Sequence, residues 1–540
     1  MKVNNLKISF DNYEILKNVN FNINPGDKVG LVGVNGCGKS TLLKVLSGEL
    51  TIDSGKILFN NEIPVYLKQE IPIIYDDFKI IDYIKNQLGI DILEKKLVFL
   101  ENNLNDNNMI EYGEILELYL TLDGYSFESN LNYILNGLHL NKSLESKIST
   151  LSGGERIKIL LSIMLLSKGD ILLLDEPTNN LDIEAITWLE KYLFDSKKSI
   201  IMVSHDEIFL NNIVKKVYEL SNGVVKEYNL NYNDYCKQIE MEYEKNKISY
   251  ENAIEERKKL KERLQKTKEW SSKGNSSRAH NDNDKIANNF AKEKTNSSDI
   301  SKISRNLEKL NIPEFDEKKK INFCFDFDND KGNKDIRIEK LICGYNDFKT
   351  ASYDLNINYG DKVNLNGPNG SGKTTLVKTL LNEIPPIQGN VFFGTETKVG
   401  YISQNTLIND IDITVFDYLC DNINETNNSL VFTLLNNFGF DYDDRNKKYS
   451  ELSPGQRTRV NLTKIALSKI NVLILDEITN HLDKEALDLI YELVENFPGT
   501  IISISHNRKY NDILNPDYEL DIISGNIEYL KNTIHKSKWD

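Results

Sequence analysis

Gly33-Val34-Asn35-Gly36-Cys37-Gly38-Lys39-Ser40 lies between an apolar run, Val29-Gly30-Leu31-Val32, and a helical pattern, Thr41-Leu42-Leu43-Lys44-Val45-Leu46. A glycine-rich loop between a buried strand and a helix can turn its backbone N–H groups onto phosphate, which side chains at those positions would block. In that setting Lys39 neutralises terminal phosphates and the Ser40 hydroxyl reaches a divalent cation. The stretch recurs as Gly367-Pro368-Asn369-Gly370-Ser371-Gly372-Lys373-Thr374, with Lys373 and Thr374 in the same roles.

Three further stretches recur 301 residues apart. Leu151-Ser152-Gly153-Gly154-Glu155 returns as Leu452-Ser453-Pro454-Gly455-Gln456. The run ending in Asp175-Glu176 returns ending in Asp476-Glu477, and Val203-Ser204-His205 as Ile504-Ser505-His506. Equal spacings across three motifs indicate an internal duplication, with homologous nucleotide-binding domains at 1–228 and 321–540. The lysines of the phosphate loops are 334 residues apart, so the first half holds 33 extra residues. These are expected within about 90–136, as an arm of two amphipathic helices. Ile92, Leu93, Leu97 and Leu100 mark the first helix, and Ile115, Leu116, Tyr119 and Leu122 the second.

Residues 229–320 differ in composition. Apolar positions from Ile239 to Leu264 follow a helical stripe in a charged background, and a second stripe runs from Ile286 to Leu310. The expectation is an antiparallel helical hairpin with a first helix of about 37 residues, roughly 55 Å long. Its polar tip is expected at about 270–284, starting at Trp270. Residues 257–280 hold nine basic and two acidic side chains, although the whole chain has a net charge of −15. Arg257, Lys258, Lys259, Lys261, Trp270, Lys273 and Arg278 are therefore candidate RNA contacts. An acidic average does not exclude nucleic acid as a partner.

The remaining composition is that of a globular protein, with 40% apolar and 27% charged residues. No apolar run approaches the ~20 residues of a bilayer span. Met1-Lys2-Val3-Asn4-Asn5 opens without an apolar segment, and five scattered cysteines show no metal-like spacing. Both features point to a reducing cytoplasm.

In each half the acid pair ends a strand-like apolar run. The Asp, 175 or 476, is expected to orient Mg²⁺, and the Glu, 176 or 477, to polarise an attacking water. His205 and His506 can sense the terminal phosphate. Gln69 and Gln404 are candidate contacts to the metal and water. Phe10 and Tyr345 precede the loops by 23 and 22 residues and suit a platform for adenine, with Tyr13 competing with Phe10.

Phosphate loop, Gln, Leu-Ser-Gly-Gly-Glu signature, Asp-Glu strand and His, in this order, resemble the ATP-binding-cassette fold. The expected fold class is α/β, two P-loop ATPase domains in tandem joined by an α-helical hairpin linker. The resemblance implies ATP and Mg²⁺ as cofactors, with each ATP also contacted by the opposite domain's signature. It places Gly33, Asn35, Gly36, Gly38, Lys39, Ser40 and Thr41 opposite Ser453 and Gly455. Gly367, Asn369, Gly370, Gly372, Lys373, Thr374 and Thr375 then face Ser152, Gly153 and Gly154. The cation would lie near Ser40, Gln69 and Asp175 in one site and near Thr374, Gln404 and Asp476 in the other.

Two cassettes on one chain, a charged hairpin and an insertion in the first resemble the ABC-F class. Thr178-Asn179-Asn180-Leu181-Asp182 and Thr479-Asn480-His481-Leu482-Asp483 add to the likeness. It implies a cytoplasmic monomer that binds large-subunit rRNA and peptidyl tRNA on the ribosome, with no membrane or DNA partner. Antibiotic resistance by ribosome protection is the favoured role. Housekeeping translation is the alternative, and a transporter ATPase a more distant one. Pro454, Ile478 and Asn180 depart from the pattern, and Pro454 removes an N–H from the signature that closes the Lys39 site.

Overall fold

The computed structural model describes residues 1–10, 13–68, 70–106, 108–140, 142–276, 301–310, 333–345, 348–403, 412–420, 428–440, 444–468, 470–479, 482 and 484–530. Gln69, Gln404, Arg278, Asn480, His481 and Asp483 lie outside them, as does most of the second linker stripe. The chain divides into two compact units, Met1–Tyr232 with Ile321–Asp540, and Asn233–Lys320.

Within the first unit each half builds the same pair of sheets. In the N-terminal half, a six-stranded sheet runs Pro64–Tyr66, Ile171–Asp175, Ser199–Val203, Lys28–Val32, Lys216–Ser221, Val224–Tyr228. The first five strands are parallel and the last antiparallel. The C-terminal half repeats this order with Val399–Ser403, Val472–Asp476, Thr500–Ile504, Lys362–Asn366, Tyr518–Asp521 and Ile527–Tyr529. The continuous apolar runs are explained by this arrangement: Ile171–Asp175 and Ser199–Val203 are buried along their whole length, as parallel strands covered on both faces must be. Leu42, Leu43 and Leu46 of the Lys39–Leu46 helix share one core with Val29, Leu31, Ile171, Leu173 and Ile201. An antiparallel three-stranded sheet flanks each core, Tyr13–Asn22, Lys2–Phe10, Ser54–Leu58 in the first half and Tyr353–Ile357, Ile336–Ile342, Gln388–Phe393 in the second.

The extra segment of the first half is the helix pair Ile90–Asn102 and Met109–Thr121, which pack on each other. Leu97, Leu100, Ile115 and Tyr119 are buried, whereas Ile92, expected on the apolar stripe, is 53% exposed. The expected boundary at about 136 extends too far. The next helix, Phe127–Gly137, has a counterpart 301 residues later in Asn428–Asn437 and so belongs to the shared fold.

The second unit opens with one continuous helix, Tyr232–Ser276. At 45 residues it is longer than expected, spanning about 67 Å at 1.5 Å per residue. The turn does not start at Trp270 as expected: the backbone stays helical through Lys273 and Gly274 to Ser276, and the rest of the expected tip, 277–284, lies outside the described residues. Serine and lysine are tolerated in a helix and one glycine costs only about 1 kcal/mol, so polar composition alone does not break it. Residues 301–309 are also helical. Among the described residues no helix is long and apolar enough to cross a membrane.

Candidate nucleotide sites

Parallel α/β sheets bind ligands beyond the carboxyl ends of their strands, and the motif residues collect there. The first glycine-rich loop leaves the end of Lys28–Val32, Asp175 ends the Ile171–Asp175 strand, and His205 follows Ser199–Val203. Asp175 pairs with Val203 across the ladder, and Asp476 with Ile504 in the second half.

The loops are shaped for an anion. Gly33, Gly36 and Gly38 take φ of 155°, 80° and 103°, and their counterparts Gly367, Gly370 and Gly372 nearly repeat these at 148°, 80° and 101°. A Cβ on Gly33 would lie 2.4 Å from the Leu220 carbonyl, and one on Gly38 2.5 Å from Ile15 Cγ2. The helices starting at Lys39 and Lys373 have no side-chain cap, so their first N–H groups face the loop. Lys39 Nζ donates to the carbonyls of Gly33 (2.7 Å) and Val34 (3.1 Å) and to Asn35 Oδ1 (3.3 Å). Lys373 Nζ donates to Gly367 (2.6 Å) and Pro368 (3.2 Å).

The acid pairs carry strain and perturbed protonation. Glu176 and Glu477 both sit at φ 50°, in the left-handed region that costs a non-glycine residue about 1–3 kcal/mol and gathers at functional sites. Their N–H groups donate to Val203 and Ile504, each at 2.9 Å. Glu176 Oε2 accepts from the His205 backbone N–H (3.2 Å), while Oε1 is buried and receives no hydrogen bond, with His205 Nε2 3.5 Å away. Burial, then the charge of Asp175, pushes the Glu176 carboxyl up to about 7. In the second half burial and then Glu477 push Asp476 up to about 6, against hydrogen bonds from Thr374 and Tyr401.

Sequence reasoning missed several supporting groups. Tyr66 donates to Asp175 Oδ2 at 3.2 Å, and Tyr401 occupies the matching position beside Asp476. Thr178 bonds Ser204 (3.2 Å) and Thr479 bonds Ser505 (3.1 Å), tying each acid-pair loop to its histidine loop. The alternation of Tyr66 and Tyr401 with apolar neighbours resembles ordinary strand packing, so nothing in the pattern sets them apart.

The two halves meet at the second loop. Asn369 Nδ2 donates to the Asn180 carbonyl of the first half at 2.9 Å. A Cβ on Gly154 would lie 3.3 Å from that carbonyl and 4.0 Å from Asn369 Nδ2, so the first signature abuts the second phosphate loop. His506 Nε2 lies 3.2 Å from Lys373 Nζ and 3.1 Å from Asn369 Oδ1. Burial and the Lys373 charge lower the His506 imidazole to about 4, so it is neutral near pH 7. Burial lowers the Lys373 ammonium as well, opposed by Glu477, Asp476 and Asp182.

Both signatures begin helices with capping boxes. Ser152 Oγ accepts from the Glu155 N–H (3.3 Å) and donates to Glu155 Oε2 (2.9 Å). Ser453 Oγ accepts from the Gln456 N–H (3.3 Å), with Pro454 as the first helical residue. Phe10 and Tyr345 are about half exposed, at hairpins where Phe10 faces Tyr13 and Tyr345 faces Phe348.

The chain matches the family described as ABC transporter over residues 16–179 and 351–480. It is 32% identical to ATP-binding protein Uup of Haemophilus influenzae, covering 94% of this chain and 76% of that protein. The chain belongs to the ABC ATPase family. It contains two ABC cassettes in tandem and hydrolyses ATP. "Uncharacterized ABC transporter ATP-binding protein YfmM" of Bacillus subtilis is 30% identical over 97% of this chain and 96% of its own length. "ABC transporter F family member 5" of Arabidopsis thaliana is 29% identical, covering 94% and 73%. Among solved structures, the archaeal ribosome recycling factor aABCE1, crystallised with the stalk protein aP1, superposes with TM-score 0.59 at 17% identity. That match covers 97% of this chain and 90% of the other, and shows the tandem-cassette fold.

ABC cassettes bind ATP with Mg²⁺, and the residues here fit both. The glycine cradles and uncapped helices suit a polyphosphate, and the buried Glu176 Oε1 keeps an unused acceptor site beside Asp175. Mg²⁺ is commonly held by one or two side chains together with substrate phosphates, and Asp175 and Asp476 at the strand ends are carboxylates of that kind.

Proposed function

We propose that this ATPase binds ribosomes, with ATP-driven closure of its cassettes positioning the linker helix against RNA. The observation that carries the reading is the 45-residue helix bearing exposed Arg257, Lys258 and Lys261 on a chain whose cassettes already pair. Lys259, also exposed, forms an ion pair with Glu255 at 2.6 Å and so contributes less free charge. The F-family relative, and the ribosome recycling factor aABCE1 that shares the tandem-cassette fold, support the reading.

In this reading Lys39 and Lys373 hold terminal phosphates, Ser40, Thr374, Asp175 and Asp476 hold the cation, and Glu176 and Glu477 orient water. Gln69 and Gln404 join the cation, Phe10 and Tyr345 stack on adenine, and each signature serine caps the helix that closes the opposite site. Bound Mg²⁺ supplies charge neutralisation across the phosphates. His205 and His506 donate or accept at the phosphate edge, His506 as the neutral imidazole that burial and the Lys373 charge favour. The specific form of the function is remodelling of the tRNA and peptidyl-transferase region, displacing large-subunit antibiotics of lincosamide, streptogramin A or pleuromutilin type. Housekeeping translation is the alternative outcome.

The test traps a Glu176→Gln/Glu477→Gln chain with ATP and sediments it with ribosomes. Failure to pellet overturns ribosome binding. Neutralising Arg257, Lys258 and Lys261 should flatten the log–log salt slope by about 2 to 3, and an unchanged slope rejects the helix as an RNA contact. Unchanged drug susceptibility on expression of the wild-type chain moves the role to housekeeping translation.

A further inference from the structure

Away from the glycine loops the cassettes meet on a second surface, built by the short helices after the two histidines. Glu207–Ile213 follows His205, and Arg508–Leu514 follows His506. The Arg508 guanidinium forms two hydrogen bonds to the carboxylate of Glu190, and its Nη2 lies 3.6 Å from Asp206 Oδ2. Glu190 is only 8% exposed and is also held by Asn212 Nδ2 at 3.2 Å. Lys509 Nζ donates to Glu207 Oε2 (2.7 Å), and Lys484 Nζ lies 3.1 Å from Glu207 Oε1. In these cross-cassette ion pairs the first cassette supplies the acids and the second the bases, with Asp488 of the second also near Tyr491.

The duplication makes that division informative. After the insertion, adding 301 to a residue of the first cassette gives its counterpart, so Glu190 corresponds to Tyr491, Asp206 to Asn507 and Glu207 to Arg508. Ile183 corresponds to Lys484 and Ile208 to Lys509. At the Glu207 and Arg508 position the two cassettes carry opposite charges in the same place. Two first cassettes facing each other would bring Glu190, Asp206 and Glu207 against their own copies. Two second cassettes would oppose Arg508, Lys509 and Lys484. Like charges across a partly buried surface disfavour both pairings, whereas the observed one satisfies all of them.

We propose that this three-acid, three-base surface selects the partner of each cassette, joining the first to the second within one chain and excluding pairs of like cassettes between chains. It operates without nucleotide, because none of its side chains belongs to the glycine loops, acid pairs or signatures. ATP-driven closure is a separate property, so one can fail without the other.

The test uses full-length chains in which the native cysteines are serine, with nitroxide labels at Phe194→Cys and Ile523→Cys, both exposed. Distances are measured without nucleotide, and mass by light scattering. Arg508→Glu/Lys509→Glu makes both cassettes acidic, and Glu190→Arg/Glu207→Lys makes both basic. Each should remain monomeric and lose the single narrow distance peak of the parent. Mixed in equal amounts, they should form a dimer. The fourfold swap in one chain should restore the monomer and the narrow peak.

Unchanged distances in both charge-reversed chains overturn the proposal. So does a fourfold swap that melts cooperatively yet keeps a broad distribution. If the reversals at partly buried Glu190 and Arg508 prevent folding, Lys484→Gln/Lys509→Gln decides. Both lysines are substantially solvent-accessible. Raising salt from about 0.05 to 0.5 M should broaden the parent distribution markedly, and that of the neutralised chain by less than half as much. Equal broadening in the two rejects the charge lock.

Discussion

The two acid pairs have the same sequence, yet the carboxyl that burial visibly raises is Glu176 in the first and Asp476 in the second. In the first site burial raises Glu176 to about 7, so the group proposed to polarise water is half protonated near neutrality. In the second it is Asp476 that rises, to about 6. The opposing surfaces differ as well. The Lys373 site faces Ser152-Gly153-Gly154, whose N–H groups are all present, and already touches it through Asn369 and Asn180. The Lys39 site is assigned to Ser453-Pro454-Gly455, where proline has removed a donor. We propose that the raised Glu176 carboxyl and the missing Pro454 donor make the first site the slower one, so that an identical motif is tuned down by its surroundings.

The strongest test removes each carboxylate in turn. Glu477→Gln should reduce steady-state ATP turnover about 100-fold, the usual scale for losing a general base. Glu176→Gln should reduce it less than twofold, because the slower site contributes little to the sum. Single-turnover hydrolysis in the two variants measures the sites separately. Equal residual rates would remove the asymmetry altogether.

Most of this site was legible in the sequence because its chemistry requires fixed residue types at fixed spacing. A loop that wraps phosphate needs Gly33, Gly36 and Gly38, and the left-handed or extended φ at each matches that need. The parallel sheet followed from apolar runs too continuous for a half-exposed strand. What was hidden depends on the neighbours a residue acquires. Tyr66 reads as a strand aromatic until its hydroxyl is seen on Asp175. The charge lock was invisible because Glu190, Glu207 and Arg508 are ordinary surface types until the halves are set face to face. The helix from Tyr232 to Ser276 was cut short because serine, lysine and a glycine were read as a turn, although none of them forces one.

A smaller effect, about tenfold, is expected from pH. In a Glu477→Gln background, hydrolysis by the first site should rise about tenfold between pH 6 and 8, with a midpoint near 7, as Glu176 loses its proton. His506, lowered to about 4, contributes no titration in that range. Stability should run in the opposite direction. Glu176 binds its proton more tightly folded than unfolded, so stability declines as pH rises from about 4.5 to 7. Glu176→Gln should therefore stabilise the chain by roughly 2 to 4 kcal/mol at pH 8, and by nothing below pH 4.5. Thermal melts at both pH values check the sign. A flat rate profile, or a variant no more stable at pH 8, would mean that Glu176 is ionised throughout.

The smallest effect concerns Pro454. As the first residue of its helix it costs no intrahelical bond, since that N–H has no acceptor in the helix, and its fixed φ suits the position. Its cost falls instead on whatever anion meets the helix end. Pro454→Gly should restore one donor and raise first-site turnover two- to threefold, again measured in the Glu477→Gln background. The same change frees the unfolded chain, so it should lower stability by about 0.4–1 kcal/mol. A faster site in a less stable protein is the specific signature of a proline retained for folding at the expense of phosphate contact. If turnover is unchanged while stability falls, Pro454 does not limit the site, and the raised proton affinity of Glu176 alone accounts for its slowness.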